Sequence, residues 1–375
     1  MSGVNYMEKL LRGIKVEWKL LGEVSKVLRG KRLTRSQLSD NEKFPVYHGG
    51  LEPLGYYGMS NRPANTTMVI NVGASAGTVG YSSVDFWSSD GCFCIEHSAL
   101  LVNKFLYYFL IGYQHFLRSK VRVAGIPTLD AFVVEKIEIP IPPLHVQSEI
   151  VRILDNFTEL TAELTAELTA ELHARKKQYT YYRDKLLTFK EGEVEWKALG
   201  KLAENLDAMR KPVTSSLREA GNIPYYGASG IVDYVKDYIF DGDYLLISED
   251  GANLLARSTP IAFSVSGKSW VNNHAHILKF NTYVERRFVE YYLNSIDLTL
   301  YISGAAQPKL NQKNLNGIQI PNPTLAEKEK IVSILDKFDA LATSMTEGLP
   351  REIELRQKQY EYYRNLLLTF PQQEA

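Results

Sequence analysis

Two long passages of this chain recur almost unchanged, and any fold must satisfy both copies at once. Residues 139–144 (IPIPPL) lead into 150–157 (IVRILDNF); 181 residues later, 320–325 (IPNPTL) lead into 331–338 (IVSILDKF). Residues 177–189 (KQYTYYRDKLLTF) return, again 181 residues on, as 358–370 (KQYEYYRNLLLTF). Val16-Glu17-Trp18-Lys19 returns as Val194-Glu195-Trp196-Lys197 at an offset of 178. Repetition on this scale dictates architecture before any local propensity does. It calls for two equivalent halves, and two equivalent halves suit a target that itself has two parts.

Each half has two textures. From about 16 to 142 the chain is rich in Tyr, Gly, Ser and β-branched runs such as 67–72 (TMVINV), with turn signals at Gly49-Gly50, Asn61-Arg62-Pro63 and Ser89-Asp90-Gly91. This reads as short strands joined by tight turns. One helix is expected over 103–117, with Phe105, Tyr108, Phe109, Gly112 and Phe116 on a shared face. Residues 194–323 repeat the texture, with a matching helix over 288–294. Each is read as a compact mixed α/β domain.

The second texture is helical. No Pro or Gly occurs from Val146 to Phe189, and apolar residues at 150, 153, 154, 157, 160, 164, 168 and 172 keep the i, i+3/i+4 spacing. At 1.5 Å per residue such a helix is roughly 65 Å long. It needs a partner helix, and its own repeat over 327–370 is the natural one. With the halves related by a pseudo-two-fold axis, the two arms run antiparallel. The second arm carries Gly348-Leu349-Pro350, which should break it, with Pro350 at the first position of the restart. The first carries three tandem Thr-Ala-Glu-Leu units over 161–172. These are strong helix formers, read as a spacer whose length changes by whole units. The expected class is α+β: a first domain (1–142), a first arm (143–190), a second domain (191–323) and a second arm (324–375).

Composition narrows the partners. The chain has 43 basic and 43 acidic residues, so phosphate binding would need locally concentrated cations, or help from a partner. Glu8, Lys9 and Arg12 interrupt the early apolar residues, which excludes a signal-peptide pattern. No apolar run approaches the roughly 18–20 residues of a membrane helix. Cys92 and Cys94 are too closely spaced for an ordinary disulfide, so a reducing cytoplasm is expected. Only one of the two is expected to face the core.

The repeated passages are similar to those of the DNA-specificity subunits of type I restriction–modification systems. The resemblance rests on 139–144 ahead of a long helix, the Thr-Ala-Glu-Leu units, and the KQY…YYR…LLTF ends of both arms. It covers essentially the whole chain. In the globular parts it is carried by 73–80 (GASAGTVG), 86–90 (FWSSD), 247–251 (ISEDG) and 304–311 (GAAQPKLN). It implies two target-recognition domains, each reading one half of a split site in double-stranded DNA. The arms would set the gap and dock two methyltransferase (M) subunits, which restriction/translocase (R) subunits then join. The chain itself would be non-catalytic, with S-adenosylmethionine, ATP and magnesium on its partners. Two other readings stand beside this: the same architecture serving a methyltransferase without a motor nuclease, and a coiled-coil scaffold whose domains bind proteins.

Candidate DNA-contacting residues follow from charge and chemistry. Lys31, Arg32 and Arg35 lie in a basic run from Lys26 without any acid, and Arg210 and Lys211 occupy a similar place in the second half. Arg118, Lys120 and Arg122 alternate, as though projecting from one face of an extended segment. Ser75 and Thr78 belong to a glycine-rich loop. Tyr47 and Tyr226 offer ring contacts. Arg257 and Lys309 could read guanine, and Asn253, Gln307 and Asn311 adenine. On the arms, Tyr179, Tyr182 and Arg183, with Tyr360, Tyr363 and Arg364, present more aromatic surface than a helical seam needs. They are candidates for partner docking, and exposed arms imply self-association when the chain is alone. Residues 7–11 (MEKLL) echo 183–187 (RDKLL), as though the N-terminus completed the second arm's end.

Several motifs are read as bland. Residues 73–77 (GASAG) match a nucleophile elbow, but the following 78–81 reads as strand, where a helix is required. Residues 262–269 (AFSVSGKS) approximate a phosphate loop, yet no helix follows, so a hairpin turn is expected. His274 and His276 are two apart with no cluster completing a metal site. No Asn-Pro-Pro-Tyr-like methyltransferase motif is present.

Overall fold

The motifs that flank each domain pair with one another. In the computed structural model, Glu17–Leu20 runs antiparallel to Glu138–Ile141, with Trp18 opposite Pro140. Glu195–Ala198 does the same with Gln319–Asn322, Trp196 opposite Pro321. Proline cannot donate to a ladder, so a two-stranded edge is where it is tolerated. Each ribbon ties the start of a domain to its end. Trp18 lies edge-on to Phe109 (6.3 Å) and Trp196 to Tyr292 (6.2 Å).

The structure describes residues 9–11, 13–304, 307–343 and 347–370. It divides into two compact units, Met1–Glu167 with Ile353–Ala375, and Leu168–Glu352. In the first unit a four-stranded sheet runs Val27–Arg29, Cys92–Ile95, Thr66–Ile70, Val79–Ser82, beside a three-stranded sheet of Gly55–Tyr57, Phe44–Tyr47 and Trp87–Ser88. In the second unit the equivalent strands form one six-stranded sheet: Glu204–Asn205, Ala275–Lys279, Phe240–Ser248, Ala262–Val271, Ala220–Gly227, Gly230–Val235. The difference lies in one strand. Ala262–Val271 is continuous, whereas its counterpart breaks into Val79–Ser82 and Trp87–Ser88.

Cys92 and Cys94 are both buried, contrary to expectation, because residues two apart in a strand share a face. They pack with Met68, Ile70 and Phe86 on one side of the sheet, while Phe93 and Ile95 join Val69 on the other. The hairpin turn expected over 262–269 is also absent. Residues 262–269 lie within a long strand, Gly267 opposite Gly242.

The first domain's helix is two segments, Asn103–Gly112 and Gln114–Ser119, divided at Tyr113. The break turns Phe116 out to solvent, while Phe105, Tyr108 and Phe109 stay buried. Its counterpart, Tyr283–Ser295, is longer than its expected extent. It begins where the Thr282 hydroxyl accepts from the Glu285 amide (3.1 Å), a capping signal legible in the sequence.

The first arm is a single helix, Leu144–Leu187, unbroken through the tandem units. The second consists of Leu325–Thr343 and Gly348–Leu367, so Pro350 falls in the first turn of the restart, third rather than first. Gly348 has φ +79°, and a Cβ there would lie 2.5 Å from the Ala340 carbonyl oxygen. Only glycine fits that turn.

Each unit combines a domain with pieces of both arms. Val146, Ile150 and Leu154 of the first arm and Leu367, Leu368 and Phe370 at the end of the second share the first domain's core with Leu11. Leu11 thus fits the expected role of the N-terminus; Met7 and Glu8 lie outside the described residues. In the second unit Leu187 meets Ile331, Val332 and Leu335 around Phe288. The arm segments run antiparallel within each unit. Phe157 contacts Tyr363 (5.9 Å) and the Thr158 hydroxyl meets that of Tyr360 (3.0 Å) in the first; Leu187 sits with Leu335 while Tyr182 stacks on Phe338 (5.6 Å) in the second. No helix among the described residues is long and apolar enough to cross a membrane.

Candidate nucleic-acid interface

The two domains repeat the same edge in detail. Tyr47 and Ser88 pair in parallel strands, as do Tyr226 and Val271. The Trp87 indole donates to the Lys31 carbonyl, and the Trp270 indole to that of Lys211, both at 2.6 Å. Lys211 is therefore the counterpart of Lys31. Each indole bond holds the start of a basic or proline-containing loop. Trp87→Phe and Trp270→Phe keep an aromatic ring but remove the donor and part of the indole, so each should cost at least about 1 kcal/mol, more at the buried Trp87. Hydrogen exchange should quicken over 31–38 in the first variant and 211–218 in the second.

A reciprocal pair of backbone hydrogen bonds closes a hairpin in each domain, Arg122 with Thr128 (2.9 and 3.0 Å) and Ser303 with Lys309 (2.8 and 2.8 Å). Asn71 accepts from the Leu129 amide (2.9 Å) as Glu249 does from Leu310 (2.8 Å), and Gly73 donates to Pro127 (2.9 Å) as Gly251 does to Pro308 (3.2 Å). Hairpin and glycine-rich loop thus form one rim in both domains. The side chains differ: Asn71, Val72 and Thr128 in one, Glu249, Asp250 and Lys309 in the other.

On the first rim, Arg118 reaches across to the Thr78 hydroxyl (3.0 Å). Gly77 permits this approach, since its Cβ would lie 2.8 Å from the Arg118 amide. Lys120 covers the Phe116 ring (5.3 Å) and Arg122 pairs with Asp130 (2.8 Å). These three do not line one face of an extended segment, because Arg118 ends a helix and Arg122 opens the hairpin. Ser75 sits in the loop ahead of the strand Val79–Ser82, so the elbow geometry is absent. Lys31, Arg32 and Arg35 are exposed, and among the described residues none pairs with a carboxylate. Tyr47 and Tyr226 are half-buried against Phe86 (5.4 Å) and Phe263 (6.1 Å), and burial pushes both phenols up.

Four second-domain candidates have their side chains turned inward. Asn253 closes its own loop, donating to the Thr259 carbonyl (3.0 Å) and accepting from Ser258 and Thr259. Asn311 caps a helix, accepting from the Asn314 amide (2.9 Å). Arg257 donates to the Leu293 and Ile296 carbonyls at the end of the domain helix. Arg210 is largely but not fully buried, bonded to Glu249 (2.6 Å) and the Ala275 carbonyl (2.7 Å). Gln307 remains exposed, and Lys309 is half-exposed although it reaches Glu249 (3.1 Å).

Arg210 belongs to a network that the sequence did not reveal. Asp207, Glu249 and His276 bring their ligand atoms within 4.8 Å of one another. His276 faces Asp207 with one ring nitrogen (2.5 Å) and the Leu310 carbonyl with the other (2.7 Å). Burial opposes the charge on Asp207, but hydrogen bonds from His276 and Ile277 outweigh it and hold its carboxyl below the usual range. Burial likewise opposes Glu249, and Arg210, His276 and Lys309 hold it low. The chain's own cations therefore occupy the cluster.

The repeated Ile-Leu-Asp of each arm makes a joint with its domain helix. Asp155 accepts from Tyr108 (2.6 Å) and pairs with Lys104 (2.9 Å). Asp336 accepts from Tyr291 (2.6 Å) and pairs with Arg287 (3.0 Å). On the arms themselves, Tyr179 is half-buried and pushed up to about 12, chiefly by burial and then by Asp339. Tyr182, Tyr360 and Tyr363 contact Phe338, Thr158 and Phe157 within their own units. Arg183 and Arg364 bond to the adjacent Asp184 (2.7 Å) and Asn365 (2.9 Å). Among the described residues the most exposed aromatics are Tyr181 (60 %) and Tyr362 (64 %), so the outward ring of each motif is its central tyrosine.

The type I restriction modification DNA specificity domain matches residues 14–174 and again 191–355. The EcoR124I/EcoR124II specificity subunit of Escherichia coli is 35% identical over 100% of this chain and 99% of its own length. A putative type I restriction enzyme specificity subunit of Haemophilus influenzae is 34% identical over 97% and 98%. Among solved structures, one described as showing complex assembly and conformational transition of the type I system aligns with a TM-score of 0.62 at 16% identity, covering 95% of this chain and 98% of that one. The S subunit from M. genitalium aligns with a TM-score of 0.52 at 20% identity, covering 96% and 98%. The chain belongs to the type I restriction–modification specificity-subunit family.

Proposed function

We propose that each domain reads one half of a bipartite site in double-stranded DNA, that the arms set the gap, and that the chain is non-catalytic. Two methyltransferase subunits dock on the arms and restriction/translocase subunits join them. S-adenosylmethionine, ATP and magnesium act on those partners. The observation that carries this reading is the pair of rims: one backbone geometry, repeated, with different side chains at equivalent positions. That is what two unlike half-sites require of one scaffold.

Genomic methylation mapping in cells expressing the chain with its cognate methyltransferase tests the reading. The expected result is a split motif that disappears with the chain. A complex that assembles but leaves no chain-dependent motif would favour a protein scaffold. Binding should also weaken steeply with salt, because phosphate contacts release counterions. Replacing Lys31, Arg32 and Arg35 together by alanine should lower the slope of log affinity against log salt by about 3. An unchanged slope, measured by anisotropy on the assembled complex, would remove these three from the interface.

A further inference from the structure

The hairpin at 122–128 carries an apolar tip. Val123 is 80% exposed and Ile126 72%, although the hairpin's base is firmly held. Reciprocal bonds close it, and Gly73 and Leu129 tie it to the neighbouring strand and loop. Its flanks are basic. Arg118 and Lys120 pair with no carboxylate among the described residues, and Arg122 keeps an exposed guanidinium beside Asp130. The matching hairpin of the second domain carries Gln307 and Lys309, both polar.

Two aliphatic side chains set among cations suit a surface that is anionic at its edges and apolar at one interior point. In the major groove that apolar point is the thymine methyl group. We propose that the hairpin at 122–128 reads thymine in the first domain's half-site, with Val123 and Ile126 against its methyl group and Arg118 and Lys120 on the flanking phosphates. This rests on the DNA-reading function proposed above. It adds the base and the element that reads it.

Deoxyuridine differs from thymidine only by that methyl group. The test places deoxyuridine at each thymine of the mapped site in turn and measures binding by the assembled methyltransferase complex. At one or two thymines in one half-site, affinity should fall about 3- to 5-fold, the factor a buried methyl is worth. A Val123→Ser/Ile126→Ser variant should bind the thymine duplex correspondingly less tightly and be indifferent to deoxyuridine at those positions only. Unchanged thermal unfolding of the variant would show that the fold is intact. Variant sensitivity equal to the parent's at every thymine, or a site without thymine in either half, overturns the proposal while leaving the DNA-reading function standing. Absence of any salt-sensitive, sequence-specific binding by the parent complex would overturn that function as well.

Discussion

Removing residues 165–168, one Thr-Ala-Glu-Leu unit, is expected to shorten the gap between half-sites by one base pair and leave both half-sites unchanged. The helix Leu144–Leu187 runs without interruption through all three units, so the deletion is absorbed as helix rather than as loop. Four residues advance about 6 Å and leave about 40° beyond a full turn. One base pair advances about 3.4 Å and turns about 34–36°. The rotation matches one step closely, whereas the rise lies nearer two. Facing the groove correctly is the stricter demand, because a recognition surface that is rotated off the groove touches no base edge. At the parental spacing, loss of register over even two base pairs at about 1–3 kcal/mol each should weaken binding on the order of 100-fold. Methylation mapping of the deletion strain checks this. A gap shortened by two would mean that rise governs, and an unchanged gap would mean that this arm is not the ruler.

The joint between domain helix and arm should answer very differently in the two halves. Arg287 lies among Glu290, Asp336 and Asp339, with contacts of 2.6 to 3.0 Å, and is itself largely buried. Burial disfavours its charge, but these carboxylates more than compensate and raise its already high pKa. Arg287→Met would strand the buried Glu290 beside the partly exposed Asp336 and Asp339, at a cost of about 3 kcal/mol. Lys104 makes the equivalent pair with Asp155 in a much wetter setting, where such pairs contribute about 0–1 kcal/mol. Lys104→Met should therefore barely register. Burial already pushes Glu290 up, and a carboxyl that binds its proton more readily when folded gains stability as pH falls. Acidification from neutrality through that raised pKa should partly rescue Arg287→Met. Hydrogen exchange as a function of pH, over Tyr283–Ser295 for Arg287→Met and over Asn103–Gly112 for Lys104→Met, reads these effects. Equal losses in the two variants would show that the joints are energetically alike.

The arms were legible because periodicity and repetition are properties of the sequence itself. Leu144–Leu187 was missed by only two residues at each end, and the break before Gly348 followed from Gly and Pro. Residue type indicated which side chains could meet DNA, but not which were already engaged. Arg210, Asn253, Arg257 and Asn311 have the right chemistry and donate or accept inside the second domain. Only Asn311, followed three residues later by the amide that it caps, left a local trace. The Asp207–Glu249–His276 network joins residues far apart in the chain, and no spacing rule reaches it. Treating Cys92 and Cys94 as if they faced opposite ways was an error of period, since strand neighbours alternate one by one.

Leu367, Leu368 and Phe370 fill the same core as Phe105 and Ile150. The domain synthesised first therefore lacks part of its interior until residues 367–370 have left the ribosome. Contacts of such long sequence separation are slow to form. The N-terminal domain should remain open to chaperones and proteases until those residues emerge, whereas the second unit, contiguous from Leu168 to Glu352, can close before they do. Order of synthesis and order of folding run in opposite directions.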